Sequence, residues 1–167
     1  QHNEQLDAQV RERTRQLEDA LVALRRSREE LKTSYLDTIF RLTTVAEYKD
    51  GFTSGHIKRG GHYCRHLARE LGWNAEDQES MFYASPMHDI GKIGIPDHIL
   101  LKPGAFTRDE REIMEGHAGL GAKILGDSQS PYLKLGAEIA LNHHECWDGG
   151  GYPSGLRGDA IPLSARI

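Results

Sequence analysis

Residues 3–33 contain neither glycine nor proline and are crowded with Glu, Arg, Gln and Leu. A stretch so free of helix breakers is committed to helix, since Gly and Pro cost roughly 1 and 3 kcal/mol relative to alanine in a helix interior. Val10, Leu17, Leu24 and Leu31 recur every seven residues, with Leu6 and Ala20 at the intervening core position. A heptad repeat of this kind reads as a coiled coil, although Arg13 and Ser27 weaken the intervening line. The stripe is narrow and has charge all round it, which suits a partner helix better than a broad core. A parallel homodimer through residues 6–31 is therefore expected; the other reading is a solvated helix laid against its own domain. Either way the segment joins and orients modules and carries no chemistry.

The helix is expected to run on through Leu36, Ile39, Leu42 and Val45 to the turn signals at Asp50-Gly51 and Ser54-Gly55. That divides the chain into a coiled-coil helix, 1–33, and a globular region, 34–167. A second helix is predicted over 56–71, stopped by Gly72, with Gly60-Gly61 an unexplained cost inside it. Asn74 can cap a third over 75–88, after which Gly91, Gly94 and Pro96 predict a loop. Thr107 and Glu110 form a capping box opening a helix toward Gly116, and a separate one follows through Ile124 to Gly126. A last helix leads from Pro131 through Leu133, Leu135, Ile139 and Leu141 into His143. From Trp147 to Pro162 the chain is rich in Gly and Pro, predicting an irregular functional loop. No strand alternation persists anywhere, so the expected fold class is all-α.

Composition narrows the setting. The 167 residues are 38% hydrophobic and 28% charged, enough for one core plus an extended element. No apolar run is long enough for a bilayer and no signal-peptide pattern opens the chain. Two cysteines, Cys64 and Cys146, are too few for a disulfide framework, so a cytoplasmic location is expected; Cys146, two residues after His144, reads as a small buried thiol rather than a metal ligand. The net charge of −4 argues against broad nucleic-acid binding and leaves a phosphate substrate in need of local cations, which metals can supply. Direct binding of nucleic acid or membrane is not expected. The chain starts at Gln1 without a methionine and stops at Ile167 inside an apparent element, as a piece of a longer protein would.

Chemistry concentrates in the histidines. His88-Asp89 and the doublet His143-His144 are joined by His56 and His117, a set of imidazoles and one carboxylate larger than a single ion needs. Neutral imidazole suits Fe, Mn, Zn or Ni, and a carboxylate can bridge two cations. A metal pair sharing Asp89 is an arrangement that activates water for in-line attack on phosphorus. Adjacent residues such as His143 and His144 point apart in a regular helix, so either the backbone departs from helix there or one of the two only supports the other ligands. His62 and His66 share a helix face without a carboxylate partner and read as ordinary histidines, as do His2 and His98.

The run His88-Asp89-Ile90-Gly91-Lys92-Ile93-Gly94-Ile95-Pro96-Asp97 is followed by Leu100-Leu101-Lys102-Pro103-Gly104, His143-His144-Glu145, Trp147-Asp148-Gly149, Gly151-Tyr152-Pro153 and Ile161-Pro162-Leu163. In this order the motifs resemble the HD-GYP family of HD phosphohydrolases, over nearly everything after residue 36. The resemblance implies an HD-type α-helical phosphodiesterase that hydrolyses cyclic di-GMP to linear pGpG, GMP or both, as the output module of a bacterial signalling protein. It further implies an upstream sensor or receiver domain and GGDEF-domain partners. His56, His88 and Asp89 would hold one metal, with Asp89 bridging to a second held by His117, His143 and His144. The cofactors expected are two divalent ions, Fe or Mn. Three-metal members typically carry a glutamate where this chain has Phe52, and Glu47 is better placed for a surface or supporting role.

Asp89 and Lys92 would be the catalytic pair, Lys92 also contacting phosphate, and Gly151, Tyr152 and Pro153 would form the lip of the substrate pocket. Trp147 is expected to anchor the loop and Asp148 to stabilise a turn. The superfamily uses a further aspartate beyond the position of Ile167, so this chain alone is expected to bind metal weakly or be inactive. Two other functions remain open: a cyclic-dinucleotide-sensing or partner-docking module without turnover, and an HD enzyme for another phosphate ester or cyclic dinucleotide.

Overall fold

The computed structural model describes residues 2–49 and 54–167, the side chains of 47, 54 and 56 excepted. Expectations that rest on Phe52, and on the side chains of Glu47 and His56, fall outside these. The chain divides into two compact units, Gln1–Thr38 and Ile39–Ile167. The first is the larger part of one continuous helix, α1 (His2–Tyr48). Its heptad positions Leu17, Leu24 and Leu31 are all exposed. Local support comes from i,i+4 pairs such as Arg26–Glu30 at 2.9 Å, each worth only a few tenths of a kcal/mol.

The second unit is all-α among the described residues. After the end of α1 come α2 (Ser54–Glu70), α3 (Ala75–Ala84), a 3₁₀ helix (Ser85–Gly94), α4 (Asp97–Leu100), α5 (Arg108–Leu125), α6 (Pro131–Asn142) and α7 (Leu163–Arg166), with a short 3₁₀ turn at Gly158–Ala160. Among the described residues no helix is long and apolar enough to cross a membrane. Asn74 caps α3 by accepting from the amides of Glu76 and Asp77, a cap worth about 1 kcal/mol. The Thr107–Glu110 capping box opens α5 as the spacing predicted. Ile39, Ala68, Met81, Ala84, Met87, Leu125, Ile139 and Ala140 form the core, drawn from α1, α2, α3, the 3₁₀ helix, α5 and α6.

Two boundaries differ from expectation. The third helix stops at Ala84 and tightens into 3₁₀ winding that continues through the predicted loop to Gly94. Pro86 sits in its first turn, where a missing N–H costs nothing. The glycines at 116, 119 and 121 do not divide α5, because a strong N-terminal cap and packing against α6 and the 3₁₀ helix override their propensity. His117 is therefore mid-helix and 1% exposed, not at a junction.

Close backbone approach explains the glycine at 91. A Cβ there would overlap the His117 carbonyl and the Gly121 amide, so only glycine lets the 3₁₀ helix lie on α5. At the Gly60-Gly61 pair, a Cβ on Gly61 would stand 2.7 Å from the Phe82 carbonyl, whereas one on Gly60 would meet nothing within 4 Å. Gly91→Ala is expected to lower stability by about 1–3 kcal/mol, as overpacking does. Gly60→Ala should instead raise it by about 0.4–1 kcal/mol through the unfolded chain. Urea unfolding of the two variants side by side checks both signs.

Candidate metal centre

Three histidines are oriented by the same local device. His88 Nδ1 lies 2.9 Å from the Ser85 carbonyl, His117 Nδ1 2.6 Å from that of Met114, and His143 Nδ1 3.0 Å from that of Ala140. Each carbonyl stands three residues earlier in the chain and can only accept, so each Nδ1 carries the proton and Nε2 of the neutral ring is left with a lone pair. Metal-binding imidazoles are commonly fixed in this way by the partner of their other nitrogen.

These lone pairs converge on Asp89. Oδ1 of that carboxylate is buried and lacks a hydrogen-bond partner in the described structure. His117 Nε2 stands 3.3 Å from it and His143 Nε2 3.5 Å, and the two nitrogens are 3.3 Å apart. His144 joins them: Asp89, His117, His143 and His144 each offer one ligand atom, all within 4.8 Å of one another. A proton on one ring could relieve a single pair of these acceptors. Four converging donors fit a cation with several coordination positions, and imidazole with carboxylate suits a first-row divalent metal.

The doublet converges because α6 ends at it. His143 is the C-cap, with φ −68° and ψ −13°, and the chain turns immediately afterwards. His144 is thus swung back onto its neighbour, with ring centroids 4.1 Å apart.

The other oxygen of Asp89 faces different groups. Oδ2 is 3.2 Å from His88 Nε2 and 2.7 Å from Lys92 Nζ. In 3₁₀ winding residues i and i+3 eclipse, which sets Lys92 over Asp89. His88 is outside the four-residue donor group, although its ring meets His143 edge-on at 5.1 Å. Burial alone would raise the Asp89 carboxyl. Where a proton sits instead on the facing nitrogen of His117, His143 or His88, the hydrogen bond it donates outweighs burial and holds the group far below the ordinary carboxylate range. Burial, followed by the nearby His143 and His117, pushes the His144 imidazole down to about 4, leaving it neutral at pH 7.

Tyr152 stacks on His144, with centroids 4.6 Å apart and planes at 22°. Burial, with Glu115 and Asp89 nearby, pushes its phenol up to about 12, so it keeps its proton. The Tyr152–Pro153 peptide is cis and Pro153 is exposed. A Cβ on Gly151 would overlap the His144 carbonyl, giving that glycine a packing reason of its own.

Glu145 is the residue that reading the sequence missed. Its carboxylate accepts from the amides of Ser154 and Leu156, both at 2.8 Å, and so holds the loop that presents Tyr152. Its place directly after the doublet was the available signal. Asp148 accepts from the Gly150 amide, the expected turn role. Trp147 differs from expectation. Its carbonyl accepts from Gly158, but the residue is 61% exposed, with the Arg166 guanidinium 5.6 Å from the ring centroid, so the backbone and not the indole anchors the loop. Cys146 is exposed rather than buried. His66 contacts Arg69, His62 packs on Phe82, and His98 lies exposed in α4, so none joins the centre.

Comparison with known proteins decides the family. The model described as "HD domain" matches residues 42–167. The chain belongs to the HD domain family. Its HD-GYP character is borne out by relatives. The chain is 44% identical over 158 residues to a cyclic di-GMP phosphodiesterase response regulator of Xanthomonas campestris, covering 95% of this chain and 41% of that protein. It is 47% identical over 155 residues to a cyclic di-GMP phosphodiesterase of Thermotoga maritima, covering 90% and 42%. A 3′3′-cGAMP-specific phosphodiesterase of Vibrio cholerae is 40% identical over 138 residues, covering 83% and 26%. This HD domain chain thus spans less than half the length of each of these relatives.

The donor geometry predicts that His117→Ala and His144→Ala lose bound Mn or Fe, measured by elemental analysis after desalting, with helical circular dichroism retained. His62→Ala should keep full occupancy. Unchanged metal in either of the first two would remove that residue from the ligand set.

Proposed function

We propose that this HD domain is the phosphodiesterase output module of a bacterial signalling protein, hydrolysing cyclic di-GMP to linear pGpG, GMP or both. The observation that carries the reading is a half-buried Asp89 whose two oxygens face two different groups of nitrogen ligands and cations. Relatives named as cyclic di-GMP phosphodiesterases supply the substrate. His117, His143, His144 and Asp89 would hold one divalent ion, and Asp89, His88 and His56 a second, iron or manganese being the natural choices. When bound, such a pair lowers the pKa of water and neutralises charge on phosphoryl oxygens.

The chain's own residues do the rest. Asp89, fully ionised, supplies the shared carboxylate. Lys92, held at its edge, places a cation where a non-bridging or leaving oxygen of the phosphodiester would sit. Tyr152 has one face on His144, leaving its protonated hydroxyl to donate to phosphate and its other face for a guanine. Glu145 fixes the loop so that Tyr152 and Pro153 form the pocket lip. We further infer a cytoplasmic protein, dimerised in parallel through residues 6–31, with a sensor or receiver domain and GGDEF-domain partners.

The test is incubation of the chain, and of a version extended past Ile167, with cyclic di-GMP under anaerobic Fe(II) or Mn(II) loading, products resolved by chromatography. Turnover should vanish in Asp89→Asn. In Lys92→Ala it should fall by about 10²–10³, the loss usual for one charge-stabilising group, with metal retained. The Vibrio relative named for 3′3′-cGAMP favours a second substrate, so that dinucleotide is run in parallel. Preferential turnover of it would replace the substrate assignment, and binding without turnover would point to a sensing module.

A further inference from the structure

The last part of α1 belongs to the HD domain unit and is apolar on two faces. Ile39, Thr43 and Ala46 are buried in the domain. Leu42 and Val45, about 100° away round the helix at 3.6 residues per turn, are 62% and 66% exposed. Between Ile39 and Tyr48 only Arg41 and Glu47 are charged. A helix that is polar on neither of two separate faces is one that a partner covers on the second.

Sequence spacing says what that partner is. Leu24, Leu31, Thr38 and Val45 continue a single seven-residue line, and Leu21, Tyr35 and Leu42 continue the line three residues before it, interrupted only by Arg28. Such a line drifts by about 20° per heptad on a straight helix and faces a partner throughout only in a left-handed supercoil. An exposed face that keeps this period is the mark of a second helix of the same kind. The intervening line of the first heptads, Leu6, Arg13, Ala20 and Ser27, gives way to Leu21, Tyr35 and Leu42 after Ala20, so the better-packed register is the one that enters the domain.

We propose that the dimer seam does not end near Leu31 but runs through Leu42 and Val45, so that a second copy of this chain covers the exposed face of α1 within the HD domain. This rests on the parallel homodimer inferred above. Two single-cysteine versions of the full chain test it, Leu31→Cys and Val45→Cys, each with Cys64→Ser and Cys146→Ser. Lys134→Cys, on the exposed surface of α6, reports random collision. After mild oxidation with diamide, both Leu31→Cys and Val45→Cys should run as disulfide-linked dimers, at several-fold higher yield than Lys134→Cys.

Cross-linking at Leu31→Cys with Val45→Cys at the Lys134→Cys level would overturn the extended seam and leave the coiled coil standing. Cross-linking at Val45→Cys alone would support the seam in the domain and overturn the amino-terminal coiled coil. Neither position cross-linking, with a monomer in sedimentation, would overturn both.

Discussion

A carboxylate oxygen buried among imidazole lone pairs is the constraint on which the HD domain depends. Asp89 Oδ1 has the Nε2 atoms of His117 and His143 within 3.5 Å and no donor in hydrogen-bond geometry. A buried polar atom without a partner costs about 1–3 kcal/mol, and more when charged. A core that served stability alone would not assemble this arrangement. The packing that assembles it is specific: Gly91 draws the 3₁₀ helix onto α5 at the level of His117, and α6 delivers His143 as it ends. His88, His117 and His143 are each locked by a carbonyl three residues earlier, so their lone pairs are aimed before any cation arrives. Preorganisation is what a metal centre needs, because ligands already aimed lose little freedom on binding.

Much of this was legible in the residues. Helix caps at Asn74 and Thr107, the stop at Gly72, and the helix from Pro131 to the doublet all follow local chemistry, and the structure has them. The ligand types were legible because few roles call for a His-Asp pair together with a His doublet. Less legible was anything set by packing at a distance. Gly116 read as a breaker, yet α5 runs through it because the cap at its start and packing on α6 and the 3₁₀ helix hold the helix together. Tightening at Ser85 could not be seen, since 3₁₀ and α windings share their residue preferences. Yet that tightening sets Lys92 directly over Asp89.

The same limit explains Glu145 and Trp147. Glu145 looked like part of a motif without a task, because its partners are the amides of residues 154 and 156, and a backbone donor leaves no trace in a sequence. Trp147 looked like an anchor because large aromatics usually are. Its position in the loop is secured by a carbonyl bond to Gly158, which spares the ring from being buried.

Lys49 ties the end of α1 to the segment that carries Lys92. Lys49, just past Tyr48, donates to the carbonyls of Ile93 at 3.0 Å and Ile95 at 2.7 Å and pairs with Asp97 at 3.2 Å. Those carbonyls follow Lys92 by one and three residues. An ammonium satisfied by two carbonyls and a carboxylate is a strong local tie, since charge-assisted bonds are roughly twice as strong as neutral ones. Any rearrangement that shifts or turns the end of α1 must therefore break these bonds or carry the segment bearing Lys92 with it. The Lys92 ammonium is in turn 2.7 Å from Asp89, so that movement would reach the shared carboxylate through one further side chain. The route is short because the chain is held on either side of Lys92, by the close approach of Gly91 to α5 and by the bonds of Lys49 to Ile93 and Ile95.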